Sequence, residues 1–434
     1  MKIVLITLFE AQVIRNFLSN NIEFLKNVSI NYDVMIFTDK SNSATISNLL
    51  KYVDYGNISI VEFDNFATSS IYKFCSSILK WTHQSSSIYR EILSTAQGNK
   101  KSRFRTPVKM LLHLSLRKSH VIEKLVKSVI LKTFNINRFN SYLGAQTADL
   151  VARECESLFV TSLTNVKDIH VALYAKIMRI HTIGTVRSWD NLSSHGRLVV
   201  NPDVFYSHSD FMSNTLEKFH PYQGFKVHTL VAPNYQKVSY TKKSDSSENK
   251  MFKIGYACMG ARVNPDDYRF IVEFNELAKS FPNQLFYVIQ HPSFPHEIEF
   301  VLNVNVKIIK FDYGTSSLED YYTELSTFDL ILGGGTSALL DAAVLKVPVI
   351  YIGFEYQRQG YWNSALRYQD YMYHFKQFIQ ITNIHVCRSH SELVRILQVQ
   401  NYNLFIINSV LATYFSGSIV LDLPSRLIEL INQK

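Results

Sequence analysis

The sequence predicts an α/β protein of two domains, each a parallel sheet with helices on both faces. Three observations carry this expectation. A chain of 434 residues exceeds what one hydrophobic core ordinarily supports. Short apolar runs alternate with helical patterns along most of its length, as strand–helix–strand units require. The polar stretch at residues 237–250, which lacks apolar periodicity, divides those runs into two series. The expected domains are residues 1–236 and 251–434, joined by that linker.

In the first series, strands are expected at residues 3–8, 34–38, 58–63, 158–161, 182–186, 204–207 and 227–231. The first of them, Ile3-Val4-Leu5-Ile6-Thr7-Leu8, is a largely apolar run. Helical patterns at 168–178 and 212–218 lie between strands. The second series places strands at 252–257, 284–289, 306–310, 330–332 and 349–352, with helices at 267–279, 317–325 and 336–344. Ligands of open parallel sheets bind beyond the carboxyl ends of the strands. The loops at 255–260, 291–292 and 333–336 all follow strands and are expected to converge on one site.

A hydrophobic content of 47% describes a packed globular chain rather than a disordered one. Cys75, Cys155, Cys258 and Cys387 are too scattered for a C-x-x-C metal site and fit a reducing, cytoplasmic setting. The apolar start is followed by Glu10 and Arg15 without a small-residue cleavage site, so it reads as a first strand and not a signal peptide. No window reaches the roughly 18 apolar residues of a membrane span.

The net charge of +9 has one source. Lys100, Lys101, Arg103, Arg105, Lys109, Arg117, Lys118, Lys124, Lys127 and Lys132 face only Glu123. Interleaved leucines, valines and isoleucines make this an amphipathic basic helical insertion at about residues 95–135. Such a surface suits either an insertion with solvated charges or peripheral docking of residues 100–132 on anionic lipid headgroups at the inner face of a membrane. No nucleic-acid-binding pattern accompanies it.

The most informative local feature is Gly333-Gly334-Gly335-Thr336-Ser337, between an apolar run and a helix that carries Asp341. Glycines permit close approach of an anion to the backbone, and a helix start offers free N–H groups. His291-Pro292 ends another strand, where an imidazole could meet a phosphate. Gly255, Gly260 and Arg262 accompany the first strand of the second series and offer close backbone approach and a cation. In the first half, Ser188-Trp189-Asp190-Asn191-Leu192-Ser193-Ser194-His195 is a dense polar run after a strand. Trp189 suits either stacking on a ring or plugging the core, while Asp190, then His195 and Glu10, are candidate bases.

Taken together, the glycine turn with its acid, the His-Pro pair and the Trp-Asp-Asn run resemble the GT-B glycosyltransferases. More narrowly, they resemble bacterial capsule- or O-antigen-type transferases with a "SWDN" segment. The opening strand followed by Arg15-Asn16 is similar to the start of those proteins. The resemblance implies two Rossmann-like domains facing a central cleft, with a nucleotide-sugar donor on the second and a glycan or glycolipid acceptor on the first. It implies donor contacts at Gly333–Ser337, His291 and Asp341, the last standing where a Glu is more often seen. Arg15, Asn16, Ser188, Trp189, Asn191, Glu355, Gln357 and Arg358 would shape the acceptor and sugar cleft.

The missing D-x-D pattern leads to an expectation of metal-independent transfer without a cofactor. Motifs of serine hydrolases, zinc proteases and P-loop NTPases are absent. Polyol-phosphate (CDP-glycerol-like) transfer, sugar-nucleotide epimerisation and non-catalytic glycan or nucleotide binding remain alternatives on the same architecture.

Overall fold

A computed structural model describes residues 2–51, 57–63, 68–98, 100–221, 224–230, 232, 235, 251–311, 317–355, 365–417 and 423–432. In chain order the first half contains β1 (Ile3–Thr7), α1 (Ala11–Asn31), β2 (Asp33–Asp39), α2 (Lys40–Leu50) and β3 (Ile58–Phe63). Six helices follow: α3 (Ser70–Trp81), α4 (Ser86–Gly98), α5 (Lys100–Leu116), α6 (His120–Thr133), α7 (Ile136–Leu143) and α8 (Ala145–Glu154). Then come β4 (Cys155–Val160), α9 (Val166–Met178), β5 (His181–Gly184), α10 (Asn191–Ser194), β6 (Val204–Ser207), α11 (Asp210–Phe219) and β7 (Lys226–Thr229).

The second half runs β8 (Phe252–Ala257), α12 (Asp267–Ala278), β9 (Gln284–Gln290), β10 (Val306–Lys310), α13 (Leu318–Ser326), β11 (Leu330–Gly333), α14 (Ala338–Val344) and β12 (Val349–Ile352). It closes with α15 (Ala365–Tyr371), α16 (Tyr373–Thr382), β13 (His385–Cys387), α17 (His390–Val399), α18 (Ser409–Ser416) and α19 (Leu423–Asn432). Among the described residues, β13 is the strand the hydrophobic pattern does not reveal.

All strands pair in parallel, in the orders β3-β2-β1-β4-β5-β6-β7 and β10-β9-β8-β11-β12-β13. These are the two expected Rossmann-like α/β domains. Central strands such as β1 and β12 are buried at every position, whereas the edge strands β7 and β10 carry polar, exposed residues. Side-chain caps start several helices; Ser317 and Asp320 make a full capping box on α13. The second core packs Ile254, Tyr256, Phe274, Phe286, Leu330 and Ile350 together.

The two compact units do not follow the expected boundary. Residues 1–88, 109–237 and 417–434 form the first, and 89–108 with 238–416 the second. The C-terminal helix α19 returns to the first unit, where Tyr32 donates to Asn432 Oδ1 at 2.7 Å and Ser157 to the Ile431 carbonyl at 3.0 Å. The physical reason is an apolar helix face that a chain-order reading assigns to the nearest core. In the other direction, α4 crosses over: Tyr89 stacks on Tyr371 at 6.3 Å, and the Arg90 guanidinium lies 3.8 Å from the centre of the Tyr368 ring. The expected linker, residues 237–250, lies outside the described residues.

The basic insertion is helical, as expected, but it is anchored by an acid. Glu123 on α6 is buried and meets Lys127 at 2.9 Å and the fully buried Arg197 guanidinium at 3.4 Å. The outer face of α6 shows Val121, Lys124, Leu125, Leu131 and Lys132 to solvent. The side chains of Lys100, Lys101, Arg103 and Arg105 lie outside the described residues. No described helix is long and apolar enough to cross a membrane.

Candidate functional site

In each sheet the strand order reverses once, between β1 and β4 and between β8 and β11. The crevice beyond the carboxyl ends of such a strand pair is where open parallel sheets bind ligands. In the second unit, Ala257 pairs with Ile289 and with Gly333, so β8, β9 and β11 end at one level. Their following loops therefore rise side by side.

Those loops are held by a residue the sequence reading did not single out. Asp267, wholly buried at the start of α12, accepts from Tyr256 Oη at 2.6 Å and from Asn264 Nδ2 at 2.9 Å. It also accepts from the backbone N–H groups of Met259 at 2.6 Å and Gly260 at 3.1 Å. The loop after β8 bends back at Gly260, whose φ of +94° disfavours a side chain, and a Cβ there would lie 3.0 Å from His291. His291 stacks on Phe294, over which Arg262 also lies at 5.5 Å. The Ser293 N–H donates to His291 Nδ1 at 3.1 Å, which leaves the proton of a neutral ring on Nε2. Burial pushes that imidazole below its ordinary pKa, partly opposed by Asp267. Gly260, Arg262 and His291 thus come together. Gly255 does not: it lies inside β8, where a Cβ would meet Phe328 and Ile289 at 3.0 Å, so packing rather than ligand approach demands a glycine.

The glycine turn also differs from a bare anion cradle. A Cβ at Gly334 would lie 2.8 Å from Ala365 and Met259, and one at Gly335 would lie 2.4 Å from the Tyr368 ring. These two glycines admit α15 against the turn. Thr336 is half-buried and Ser337 exposed, on the side where α14 begins. Asp341 accepts from Tyr321 Oη at 2.8 Å. Glu355 is half-buried, while Gln357 and Arg358 lie outside the described residues.

The edge of the first sheet is more heavily ionised. Glu10, just past β1, accepts from Arg187 at 2.8 Å and from Asn165 Nδ2 at 2.9 Å. Below it the Thr7 hydroxyl donates to the buried Asp168, whose second oxygen has no hydrogen-bond partner. Burial holds that carboxyl well above its usual range; the Thr7 bond acts against the shift and the nearby Glu10 charge adds to it. Arg187 and Asn16 line an adjoining pocket with Thr161, Thr185 and His208. Burial drives His208 down to about 3, so it serves as a neutral partner of the Thr185 hydroxyl at 2.9 Å. Arg15 donates twice to Asn16 Oδ1, at 3.2 Å.

The Trp-Asp-Asn run forms the one-turn helix α10. Trp189 is buried against Phe211, which is the core-plug arrangement and not an open stacking face. Asp190 receives the Ser194 hydroxyl at 3.1 Å and Asn191 Nδ2 at 3.3 Å, while the Ser188 N–H donates to Asn191 Oδ1 at 3.1 Å. His195 is exposed. Two histidines absent from the sequence reading, His83 and His220, both approach the Leu192 carbonyl, at 3.0 and 2.9 Å. Burial lowers both, His220 to about 3, so neutral rings fix this segment from behind. No group of three or more His, Cys, Asp or Glu among the described residues is placed to hold a metal ion.

No family model matches the sequence, and no curated protein does. The fold does have solved counterparts. The chain is similar to the UDP-GlcNAc 2-epimerase of Methanocaldococcus jannaschii, with 11% identity, TM-score 0.51 and 100% of both chains covered. It is similar to the S. aureus MnaA–UDP co-structure at 8% identity and TM-score 0.51, covering 100% of this chain and 96% of that one. The spinosyn rhamnosyltransferase SpnG, complexed with thymidine diphosphate, matches at 10% identity and TM-score 0.50 over 100% of both chains. At such identities the likeness concerns the fold, which is the GT-B-type pair of Rossmann-like domains.

Proposed function

We propose that this protein is a nucleotide-sugar enzyme: a metal-independent glycosyltransferase that moves a sugar to a glycan or glycolipid acceptor in surface polysaccharide biosynthesis. The observation that carries the reading is the convergence of the β8, β9 and β11 loops at a strand-order reversal, with His291 fixed against Gly260. There the Nε2–H of His291 and the hydroxyls of Thr336 and Ser337 would stabilise the departing nucleoside diphosphate. Glu10 replaces Asp190 as the first candidate base, because it stands at the corresponding reversal of the first sheet. Solved counterparts with UDP and thymidine diphosphate support a nucleoside diphosphate ligand. The exposed apolar and basic face of α6 supports contact with an anionic membrane surface on the cytoplasmic side.

Sugar-nucleotide epimerisation is the second reading, favoured by the 2-epimerase with the same fold. Thermal unfolding with UDP, thymidine diphosphate and their nucleosides tests the donor site. At 100-fold excess over Kd a diphosphate should add about 2.7 kcal/mol, and the nucleoside far less. With the donor so identified, Glu10→Gln should lower transfer at least about 100-fold while donor binding persists. An isomeric nucleotide sugar formed without any acceptor, seen by NMR at unchanged mass, would establish the epimerase instead.

A further inference from the structure

The first unit holds a second pocket, open to solvent, with a cavity volume of about 70 Å³. It lies where α3 and α9 begin and α6 passes into α7. Tyr72, Ile130, Phe134, Phe139, His170 and Leu173 line it. The rings support one another: Tyr72 and His170 are 4.8 Å apart, and Phe134 and Phe139 are 5.7 Å apart. The polar wall atoms are already engaged. Ser69 and Asn135 accept from the N–H groups of Tyr72 and Arg138, and the Val166 carbonyl meets His170 Nδ1 at 2.6 Å. Burial lowers the pKa of His170, which suits a neutral wall. The cavity therefore offers apolar surface inside, whereas the charge stands at its rim on the exposed Arg138, whose Nε donates to Tyr142 Oη at 3.1 Å.

The same helix that lines this pocket leads out of it. Ile130 faces inward, while Val121, Leu125 and Leu131 on the outer side of α6 are 78%, 62% and 38% exposed, beside the exposed Lys124 and Lys132. An apolar surface bordered by cations that ends at an apolar pocket with a cationic rim is complementary to an amphiphile with an anionic head.

We infer that this pocket binds the apolar chain of a lipid phosphate, with the phosphate held by Arg138 at its rim. The inference rests on the reading of the first unit as the acceptor unit, and makes that acceptor lipid-linked.

The test uses the full chain and three probes, decyl phosphate below its micellar concentration, decanol and inorganic phosphate, with binding followed by calorimetry. Decyl phosphate should bind saturably, decanol about tenfold more weakly, and inorganic phosphate not at all. Thr133→Trp, at an exposed position on the pocket edge, should abolish binding of both alkyl probes. Arg138→Gln, also at an exposed site, should weaken decyl phosphate about tenfold and leave decanol unchanged. Equal binding of inorganic phosphate and decyl phosphate would overturn the proposal, as would unaltered decyl phosphate affinity in Thr133→Trp protein that retains its wild-type melting temperature. UDP binding, measured on the same samples, separates the two readings. Loss of the lipid result with UDP binding intact removes only the pocket, and the reverse removes only the nucleotide-sugar assignment.

Discussion

Asp168 and Asp267 are the same residue type, each wholly buried in the first turn of a helix beneath the carboxyl edge of its sheet. Their surroundings differ in how the two oxygens are used, since both oxygens of Asp267 accept hydrogen bonds and one of Asp168 has no partner. Asp267 receives four, two of them backbone N–H groups, and through them fixes the loop that carries Gly260 against His291. Asp168 takes the Thr7 hydroxyl on one oxygen while the other has no hydrogen-bond partner, and burial with the nearby Glu10 charge holds its pKa well above the usual range against the Thr7 bond and the Ser162 and Asp168 backbone. Donors directed at a buried carboxyl oppose the rise in pKa that burial imposes and decide which neighbouring groups it organises. The second unit thus uses a buried acid to shape backbone, and the first uses one to seat the side chains under an ionised pocket.

The largest effect expected from this contrast is that of Asp267→Ala. Four donors would lose their acceptor, three of them next to the candidate donor site. At about 1 kcal/mol or more for each buried donor left unpaired, the loss should be about 3–4 kcal/mol in urea unfolding. Nucleotide binding should fall with it, because Met259 and Gly260 would no longer be held. A cost no greater than that of Asp168→Ala would break the comparison.

A smaller effect is expected from Asp168→Asn, and its sign depends on pH. The folded-state pKa of Asp168 is raised above the ordinary 3.8, so below that value the carboxyl is protonated in both folded and unfolded chains. Above it, the unfolded chain ionises while the folded one keeps its proton, and the native protein loses up to about 1.4 kcal/mol for each pH unit until the folded pKa is passed. The Asn variant has no such loss. Its stability relative to the wild type should therefore increase as pH rises from about 4. Parallel denaturant titrations across pH would show a constant difference if Asp168 were ionised in the folded state.

The sequence made this contrast only partly legible. Strands such as β1 and β12 announce themselves as unbroken apolar runs, and a Gly-Gly-Gly-Thr-Ser turn after β11 marks a backbone that something approaches closely. His385-Val386-Cys387 is too short and too mixed to show as a strand. Asp266-Asp267 reads as an ordinary acidic helix start, because nothing local indicates that one of the pair turns back to Met259 and Gly260. The Trp189–His195 run shows in the sequence as a polar cluster, yet its support comes from His83 and His220, residues far away in the chain. What stayed hidden was long-range pairing, which a one-dimensional pattern does not encode.

Gly335 provides the finest test of that limit, since the sequence cannot distinguish a glycine that admits an anion from one that admits a ring. The Tyr368 ring occupies the space a Cβ would need, and the Arg90 guanidinium covers that ring at 3.8 Å. If packing sets the requirement, Gly335→Ala should destabilise the native protein by about 1–3 kcal/mol and cost little once Tyr368 is cut back to alanine. A double-mutant cycle should then give a coupling of about 1–3 kcal/mol. UDP binding to the Gly335→Ala/Tyr368→Ala protein should resemble that of Tyr368→Ala alone. Zero coupling, with UDP binding lost in every protein that carries Gly335→Ala, would instead return the glycine to the anion and make both reversal points of the fold direct ligand contacts.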